Sequence, residues 1–142
     1  MSKLSIYVAA PYARAEDVRR LHEEYRGLGY ECTSLWAESA HGPESLTQEI
    51  AEEAMAVNDA GVEKADVLVM LVYPVGGAES FCEMTRALFL QKPVLYCPKG
   101  PAHERRFMLS SYRSGVVWCL SEDDVREKLS TYAAYKFAKS ES

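Results

Sequence analysis

Residues 65–98 constrain the fold more than any other stretch, because they read as strand, glycine turn, helix and strand in succession. Val67–Val72 is apolar at every position, as expected for a strand buried on both faces of a parallel sheet. Gly76-Gly77 permits a sharp exit from this strand. Lys92-Pro93 ends the helix, and a second apolar run begins at Val94. The stretch therefore predicts a β-α-β crossover.

The rest of the chain continues this alternation. Further strands are predicted at Leu4–Ala9, Glu31–Trp36 and Gly115–Leu120. Further helices are predicted at Glu16–Leu28, at Ser45–Glu63 and from Ser121 through Phe137, with a polar loop at Ala37–Glu44. We therefore expect an α/β fold, a single doubly wound domain of flavodoxin or Rossmann-like type with a five-stranded parallel sheet. The domain covers residues 1–142, and residues 138–142 are predicted to be a frayed tail.

Charge and hydropathy exclude several classes of partner. The chain has 21 acidic and 16 basic residues and a net charge of -5, which argues against binding a nucleic-acid polymer. A small anionic ligand is still allowed, since it needs only a local basic or amide-lined pocket. The longest apolar stretch, around Val67–Val75, is too short to span a bilayer, and the first residues lack the apolar run of a signal peptide. We expect a cytoplasmic protein without a membrane partner.

Cysteine and histidine spacing gives no sign of a metal site. The four cysteines form no CxxC pair and the three histidines have no metal-ligand spacing, so we expect buried free thiols and no bound metal. The cysteines are Cys32, Cys82, Cys97 and Cys119.

Glu83 is the candidate for chemistry, and two interpretations compete for its carboxylate. Ser80–Glu83 fits an S-x-x-E capping box, in which the glutamate only satisfies a backbone donor. An ionised carboxylate near a helix N-terminus also suits attack on an electrophilic carbon. Glu79 lies in the same turn region, and repulsion between the two carboxylates would raise the pKa of one of them.

Other candidates come from loops that should meet Glu83 at one sheet edge, where strand order reverses. After the first strand, Ala9–Arg14 offers small residues and a helix N-terminus to a ligand, although Ala9-Ala10 packing on helices is an equal alternative. No GxGxxG or P-loop motif is present. The aromatic candidates for base stacking are Tyr12 and Trp36, of which Trp36 is better explained as a core residue. Candidates for contacting phosphate are Arg14, Arg105, Arg106 and Arg113.

The order of elements and the segment Glu83–Ala87, with Lys92-Pro93-Val94 beyond it, resemble the nucleoside 2-deoxyribosyltransferase superfamily. The chain is most similar to its 2'-deoxynucleoside 5'-phosphate N-hydrolase branch, because Arg106–Ser111 follows the fourth strand where that branch carries a phosphate-contacting serine. The family also presents an aspartate eight residues before the aspartate that opens the third strand. Counting back from Asp66 reaches Asn58, with Asp59 one step away.

The resemblance implies that Glu83 attacks the anomeric carbon and holds the sugar covalently, as retaining glycosidases do. It also implies a homodimer or higher homo-oligomer, and a reaction without a cofactor. Ser110 or Ser111 is expected to reach a phosphate, either within its own subunit or across a subunit interface. The predicted substrate-binding residues are Ala9, Pro11, Tyr12, Arg14, Asn58, Asp59, Gly77, Glu79, Ser110 and Ser111.

Three functions follow from these expectations. The first is cleavage of the N-glycosidic bond of a nucleoside or nucleoside 5'-monophosphate. The second is a free-nucleoside deoxyribosyltransferase, and the third is a noncatalytic nucleotide-binding module in which Glu83 is only a cap.

Overall fold

The computed structural model describes residues 3–38 and 47–141. Its strands are β1 Ser5–Ala9, β2 Glu31–Cys32, β3 Val67–Val72, β4 Val94–Pro98 and β5 Val116–Trp118. Its helices are α1 Ala15–Gly27, α2 Gln48–Lys64, α3 Ala78–Phe89 and α4 Glu122–Glu141.

The five strands form one parallel sheet in the order β2-β1-β3-β4-β5. This is the strand order of doubly wound, flavodoxin-like domains, so the predicted fold class is confirmed. The order reverses between β1 and β3, where Ile6 pairs with Val67 and Ala9 with Met70. The loops after these two strands therefore border the crevice in which such folds bind ligands.

Side chains of β1 alternate between two cores. Ile6 and Val8 join one apolar cluster, which α1 and α4 cover with residues such as Leu21 and Leu129. Tyr7 and Ala9 face the opposite side and join a second cluster with Met84 of α3. The buried Tyr7 ring thus lies on the side of the sheet that carries α2 and α3.

The second strand is shorter than its sequence predicts. The predicted strand Glu31–Trp36 ends at Cys32, and a 3-10 turn follows at Leu35–Glu38. The strand ends because a side chain, and not a backbone carbonyl of β2, accepts the next hydrogen bond from β1: the Val8 N–H donates to Ser34 Oγ at 3.0 Å. Trp36 is half-buried against both cores and donates its indole N–H to the Val8 carbonyl at 3.0 Å, in agreement with its predicted core role.

The ends of two helices also differ from expectation. Helix α4 ends at Glu141 instead of the predicted Phe137, and Ser142 lies outside the described residues. Near that end Lys136 Nζ donates to the Lys3 carbonyl and to Asp66, each at 2.7 Å, which ties α4 to the start of β1. Helix α2 begins at Gln48 with Thr47 as N-cap, and residues 39–46 of the predicted loop and helix lie outside the described residues.

Three of the four cysteines are buried free thiols as predicted, namely Cys32, Cys97 and Cys119. The prediction is wrong for Cys82, which is exposed on α3. In residues 3–38 and 47–141, no three His, Cys, Asp or Glu side chains are grouped so that they could hold a metal ion. Within the same ranges no helix has the length and apolarity needed to cross a membrane.

Gly61 lets α2 approach the sheet closely. A Cβ added there would lie 2.5 Å from the Thr33 carbonyl oxygen and 2.9 Å from Tyr7 Cε2. The Thr33 hydroxyl donates to the Gly61 carbonyl at 2.7 Å, which fixes the contact. The position of α2 over Tyr7 therefore depends on the absence of a side chain at residue 61.

We expect Gly61→Ala to lower the free energy of unfolding by about 1–3 kcal/mol, since the added methyl group overpacks a backbone contact. Gly27→Ala is the matched control, because a Cβ at that helical glycine meets nothing within 4 Å. Its stability should stay within about 1 kcal/mol of wild type. Urea unfolding measures both, and equal midpoints for the two variants would contradict the close approach.

Candidate active site

The loops after β1 and β3 meet at the switch point of the sheet. Gly76 and Gly77, the double-glycine turn, have φ values of 85° and 93°, a conformation that favours glycine. A Cβ on Gly76 would lie 3.4 Å from Pro11 Cβ, and one on Gly77 would lie 3.5 Å from Pro11 Cγ. The predicted convergence of these two loops is therefore present in the structure.

The capping-box interpretation of Glu83 is wrong. Gly77 is the N-cap of α3, and the helix begins at Ala78, so Ser80 lies within the first turn and is not the cap. The left-handed glycine lets the chain enter the helix earlier than the Ser80–Glu83 pattern predicts. Glu83 consequently lies in the second turn rather than the first.

Glu83 carries a carboxylate oxygen that nothing satisfies. Its Oε2 is buried and has no hydrogen-bond partner among residues 3–38 and 47–141. The hydroxyl of Tyr7 is buried and unpartnered in the same way. The two groups interact without reaching hydrogen-bond geometry, so two polar groups that would normally be paired lie side by side between β1 and α3.

The surroundings of Glu83 disfavour its charged form. Burial raises the pKa of Glu83 to about 7; the Tyr7 hydroxyl acts in the opposite direction, and the negative charges of Glu79 and Asp59 raise it further. The pKa of Tyr7 lies far above its usual range, first because of burial and then because of the nearby Glu83 charge. Perturbed groups of this kind cluster at functional sites.

The structure distinguishes the two α2 candidates. Asp59 acts electrostatically on both Glu83 and Tyr7, and its Oδ1 lies 3.9 Å from Arg86 Nε. Asn58 is half-buried, and its amide carries no charge that could act on Glu83. Of the two positions that counting from Asp66 suggested, Asp59 is therefore the one electrostatically linked to Glu83.

Sequence reasoning missed Tyr7 and Arg86. Tyr7 lay inside a predicted strand, and the signal that could have revealed it is a tyrosine in a buried strand, whose hydroxyl needs a partner. Arg86 follows Glu83 by one helical turn and pairs with both Asp59 and Glu63 of α2.

The loop after β1 presents an aromatic and a cationic group. Tyr12 is 39% exposed, and its ring centroid lies 6.2 Å from that of Trp36. The Arg14 guanidinium lies 4.4 Å from the centroid of the Tyr73 ring. Ala9 is fully buried in the core beside Tyr7, which favours the packing alternative for its side chain.

The two serines after β4 have different surroundings. Ser111 is buried, and its hydroxyl donates to the Met108 carbonyl at 2.7 Å, so it holds its own loop. Ser110 is half-buried, and its hydroxyl has no hydrogen bond within the described part of the chain. Leu109 and Tyr112 of the same loop are exposed.

Two of the arginines predicted to contact phosphate donate hydrogen bonds to backbone carbonyls. Arg106 donates to the carbonyls of Tyr73 and Gly76, and Arg105 donates to the Gly100 carbonyl. These bonds hold both side chains against loops of their own chain, but each guanidinium has further N–H groups, so the contact of each with a phosphate stays a prediction.

Two clefts of about 320 and 350 Å³ lie away from Glu83. The first is lined by the ends of β4 and β5 and contains the Lys99–Glu122 ion pair. The second lies beside Pro93 and Gly115, before the starts of β4 and β5. Arg105, one of the candidates for contacting phosphate, lines the first cleft, but neither cleft is lined by Glu83 or by a predicted substrate-binding residue. The candidate site is therefore identified by its charges and contacts rather than by cavity size.

No family model and no curated protein matches the sequence. Among solved structures, the chain is similar to a 2-deoxyribosyltransferase from the psychrotolerant bacterium Bacillus psychrosaccharolyticus, with a TM-score of 0.67, 17% identity and coverage of 85% of this chain and 89% of that one. It is also similar to the CMP N-glycosidase BcmB of Clostridium botulinum, with a TM-score of 0.56, 11% identity and coverage of 89% and 98%. The fold is that of these two enzymes.

The raised pKa of Glu83 gives a prediction for stability. An unfolded glutamate ionises near pH 4.5 and the folded one near pH 7, so this group makes the folded state less stable as pH rises through that window, by up to about 3 kcal/mol. Glu83→Gln removes the titration. We expect the stability of the variant relative to wild type to increase from pH 4 to pH 8.

Urea unfolding at both pH values measures this difference, and other titrating groups cancel because each variant is compared with wild type at the same pH. Exposed Glu127, changed to Gln, is the control and should give a relative stability independent of pH. A relative stability of Glu83→Gln that does not change with pH would contradict the perturbed carboxyl.

Proposed function

We propose that this chain is an enzyme of the nucleoside 2-deoxyribosyltransferase superfamily that cleaves the N-glycosidic bond of a nucleoside or nucleoside 5'-monophosphate, with Glu83 as nucleophile. The observation that carries the proposal is the Glu83 carboxylate oxygen Oε2, which is buried and has no hydrogen-bond partner among the described residues, at the switch point of the sheet. A carboxyl that served only the fold would have a partner. Keeping it unpaired costs stability, which is typical of functional groups.

The first step forms one bond and breaks another. A Glu83 carboxylate oxygen attacks the anomeric carbon, the bond from that carbon to the base nitrogen breaks, and the base leaves with the electron pair. Positive charge develops on the sugar in the transition state, and the adjacent carboxylate stabilises it. Burial beneath the sheet edge strengthens this interaction because little water screens the charge.

The leaving base takes up one proton, for which Glu79, Asp59 and a bound water are the candidates. Glu79 lies one turn before Glu83 and Asp59 lies across from it on α2, and both act on its charge. In the second step water attacks the anomeric carbon, the bond from that carbon to Glu83 breaks, and the water gives one proton to the group that protonated the base, which releases the sugar and restores the Glu83 carboxylate. If a second base attacks instead, a new nucleoside forms.

The two similar structures support this chemistry, because one is a deoxyribosyltransferase and the other is a CMP N-glycosidase. Together they favour a small nucleoside or nucleotide as substrate. The finer proposal is that the chain belongs to the 2'-deoxynucleoside 5'-phosphate N-hydrolase branch. Arg14 and Ser110 would then bind the phosphate of the substrate. Exposed Tyr12 beside Trp36 offers a surface for the base.

We also propose that the chain forms a homodimer or higher homo-oligomer. An aromatic cluster lies after β4, in which the Trp118 ring contacts two others. Its centroid lies 4.8 Å from that of Phe107, in a tilted arrangement, and 4.9 Å from that of Tyr112, edge to face. Tyr112 is 64% exposed and the adjoining Leu109 is 88% exposed. A second copy covering this face would bury them and bring Ser110 close to a neighbouring subunit.

Glu83→Gln should abolish release of the base, with a loss of kcat of at least about 1000-fold, because the amide cannot form the covalent bond. A screen of nucleosides and nucleoside monophosphates for released base measures the wild-type activity, with Glu127→Gln as the control of unchanged rate. A variant that folds and still cleaves at near wild-type rate would exclude Glu83 as nucleophile and favour the noncatalytic module.

The pH dependence of kcat/KM should report the ionisation of Glu83, rising as pH increases through about 7. Tyr7→Phe removes a group that lowers the pKa of Glu83 and should move this rise to higher pH. Glu79→Gln removes a repelling charge and should move it to lower pH. Shifts in the same direction for both variants would be inconsistent with the assigned contacts.

Hydrolysis and transfer are separated by adding a free second base to the reaction. Hydrolysis predicts free sugar or sugar phosphate in amounts equal to the released base. The appearance of a nucleoside carrying the second base would identify the transferase instead. Liquid chromatography of the products distinguishes the two.

A further inference from the structure

A side chain from the loop after β4 crosses to the loop that begins the Glu83 helix. Arg106 Nη1 donates to the Tyr73 carbonyl at 3.2 Å and to the Gly76 carbonyl at 3.0 Å. These two carbonyls lie at either end of the bend that connects β3 to the double-glycine turn. One guanidinium nitrogen therefore joins both ends of the connection.

The bend has no closure of its own. In a tight turn the Tyr73 carbonyl would accept from the Gly76 N–H, but in the described residues no such backbone bond forms, and Arg106 is the donor instead. Gly76 and Gly77 are also the residues with the widest conformational freedom in this segment. Among the described residues, Arg106 therefore supplies the hydrogen bonds that join the two ends of this bend.

The backbone of Arg106 is in turn fixed by a hydrogen bond from the sheet. Its carbonyl accepts from the Tyr96 hydroxyl at 2.6 Å, and the same hydroxyl accepts from the Met108 N–H at 3.3 Å. Tyr96 is fully buried in β4. The guanidinium carbon also lies 6.0 Å from the centroid of the Phe81 ring, in the first turn of α3.

We propose that Arg106 is a positioning residue for catalysis: it closes the bend between β3 and α3 and thereby sets where Glu83 meets the anomeric carbon. This proposal rests on the proposed function of Glu83. Nucleophilic attack requires the reacting atoms to approach within a few tenths of an ångström of their productive distance, so a displaced helix start slows the chemical step more than it weakens binding.

Arg106→Gln should therefore lower kcat by about 10- to 100-fold while KM changes by less than about threefold. Arg106→Lys should recover part of the loss, because its ammonium group can still donate to the carbonyls. Arg19→Gln is the matched control, since this arginine of α1 donates to the Ala37 carbonyl, away from the bend, and it should keep the wild-type rate.

A second measurement needs no substrate. Amide hydrogen exchange at Gly76, Gly77 and Ala78, followed by NMR, should become at least about fivefold faster in Arg106→Gln and stay unchanged in Arg19→Gln. Unchanged exchange in Arg106→Gln, or a kcat equal to that of Arg19→Gln, would overturn the proposal. Faster exchange in a protein whose wild type cleaves neither nucleosides nor nucleoside 5'-monophosphates would refute the proposed function while supporting the role of Arg106 in closing the bend.

Discussion

The candidate site depends on how the chain leaves β3 and enters α3. The double-glycine turn has two successive positive φ values and packs against Pro11 from the neighbouring loop. A side chain at either glycine would be strained in this conformation. Because α3 starts there, this short connection determines how far along the sheet edge Glu83 lies and which residues surround it.

In the proposed function, the surroundings of Glu83 serve chemistry at a cost to stability. Burial and two nearby carboxylates oppose ionisation, whereas the Tyr7 hydroxyl favours it, so the pKa of about 7 is a balance of opposed effects. A carboxyl with a pKa near 7 can ionise at neutral pH. Because it is buried, few water molecules would have to leave it before it attacks. The apolar core around this site is well packed, and its stability offsets the cost of an unsatisfied polar group at the edge of the sheet.

Much of the fold could be predicted because its signals are local. The uniformly apolar β3 and the breaks at Gly76-Gly77 and Lys92-Pro93 follow from residue type alone, and β3 has the predicted bounds Val67–Val72. The end of β2 could not be predicted, because it depends on Ser34 reaching the Val8 N–H in another strand. The same limit applies to the cap of α3, where a left-handed glycine replaced the serine that the pattern favoured.

The site was predictable in part for a similar reason. Glu83 and Glu79 share a helix, so their proximity follows from spacing. Tyr7, Asp59 and Arg86 come from three different elements, and their meeting depends on how α2 packs over β1 at Gly61. The side chain of Arg106 could be assigned to phosphate from its charge alone, but its actual partners are carbonyls 30 and 33 residues away.

The central claim is that Glu83 forms a covalent bond to the sugar. Its most direct test is mass spectrometry of the protein quenched in acid during turnover of a nucleoside, followed by digestion. The account predicts a mass increase equal to one sugar residue, or one sugar phosphate for a nucleotide, on the peptide that contains Glu83. The increase should be absent in Glu83→Gln. A wild-type protein that turns over its substrate rapidly while the adduct forms on a different peptide would contradict it.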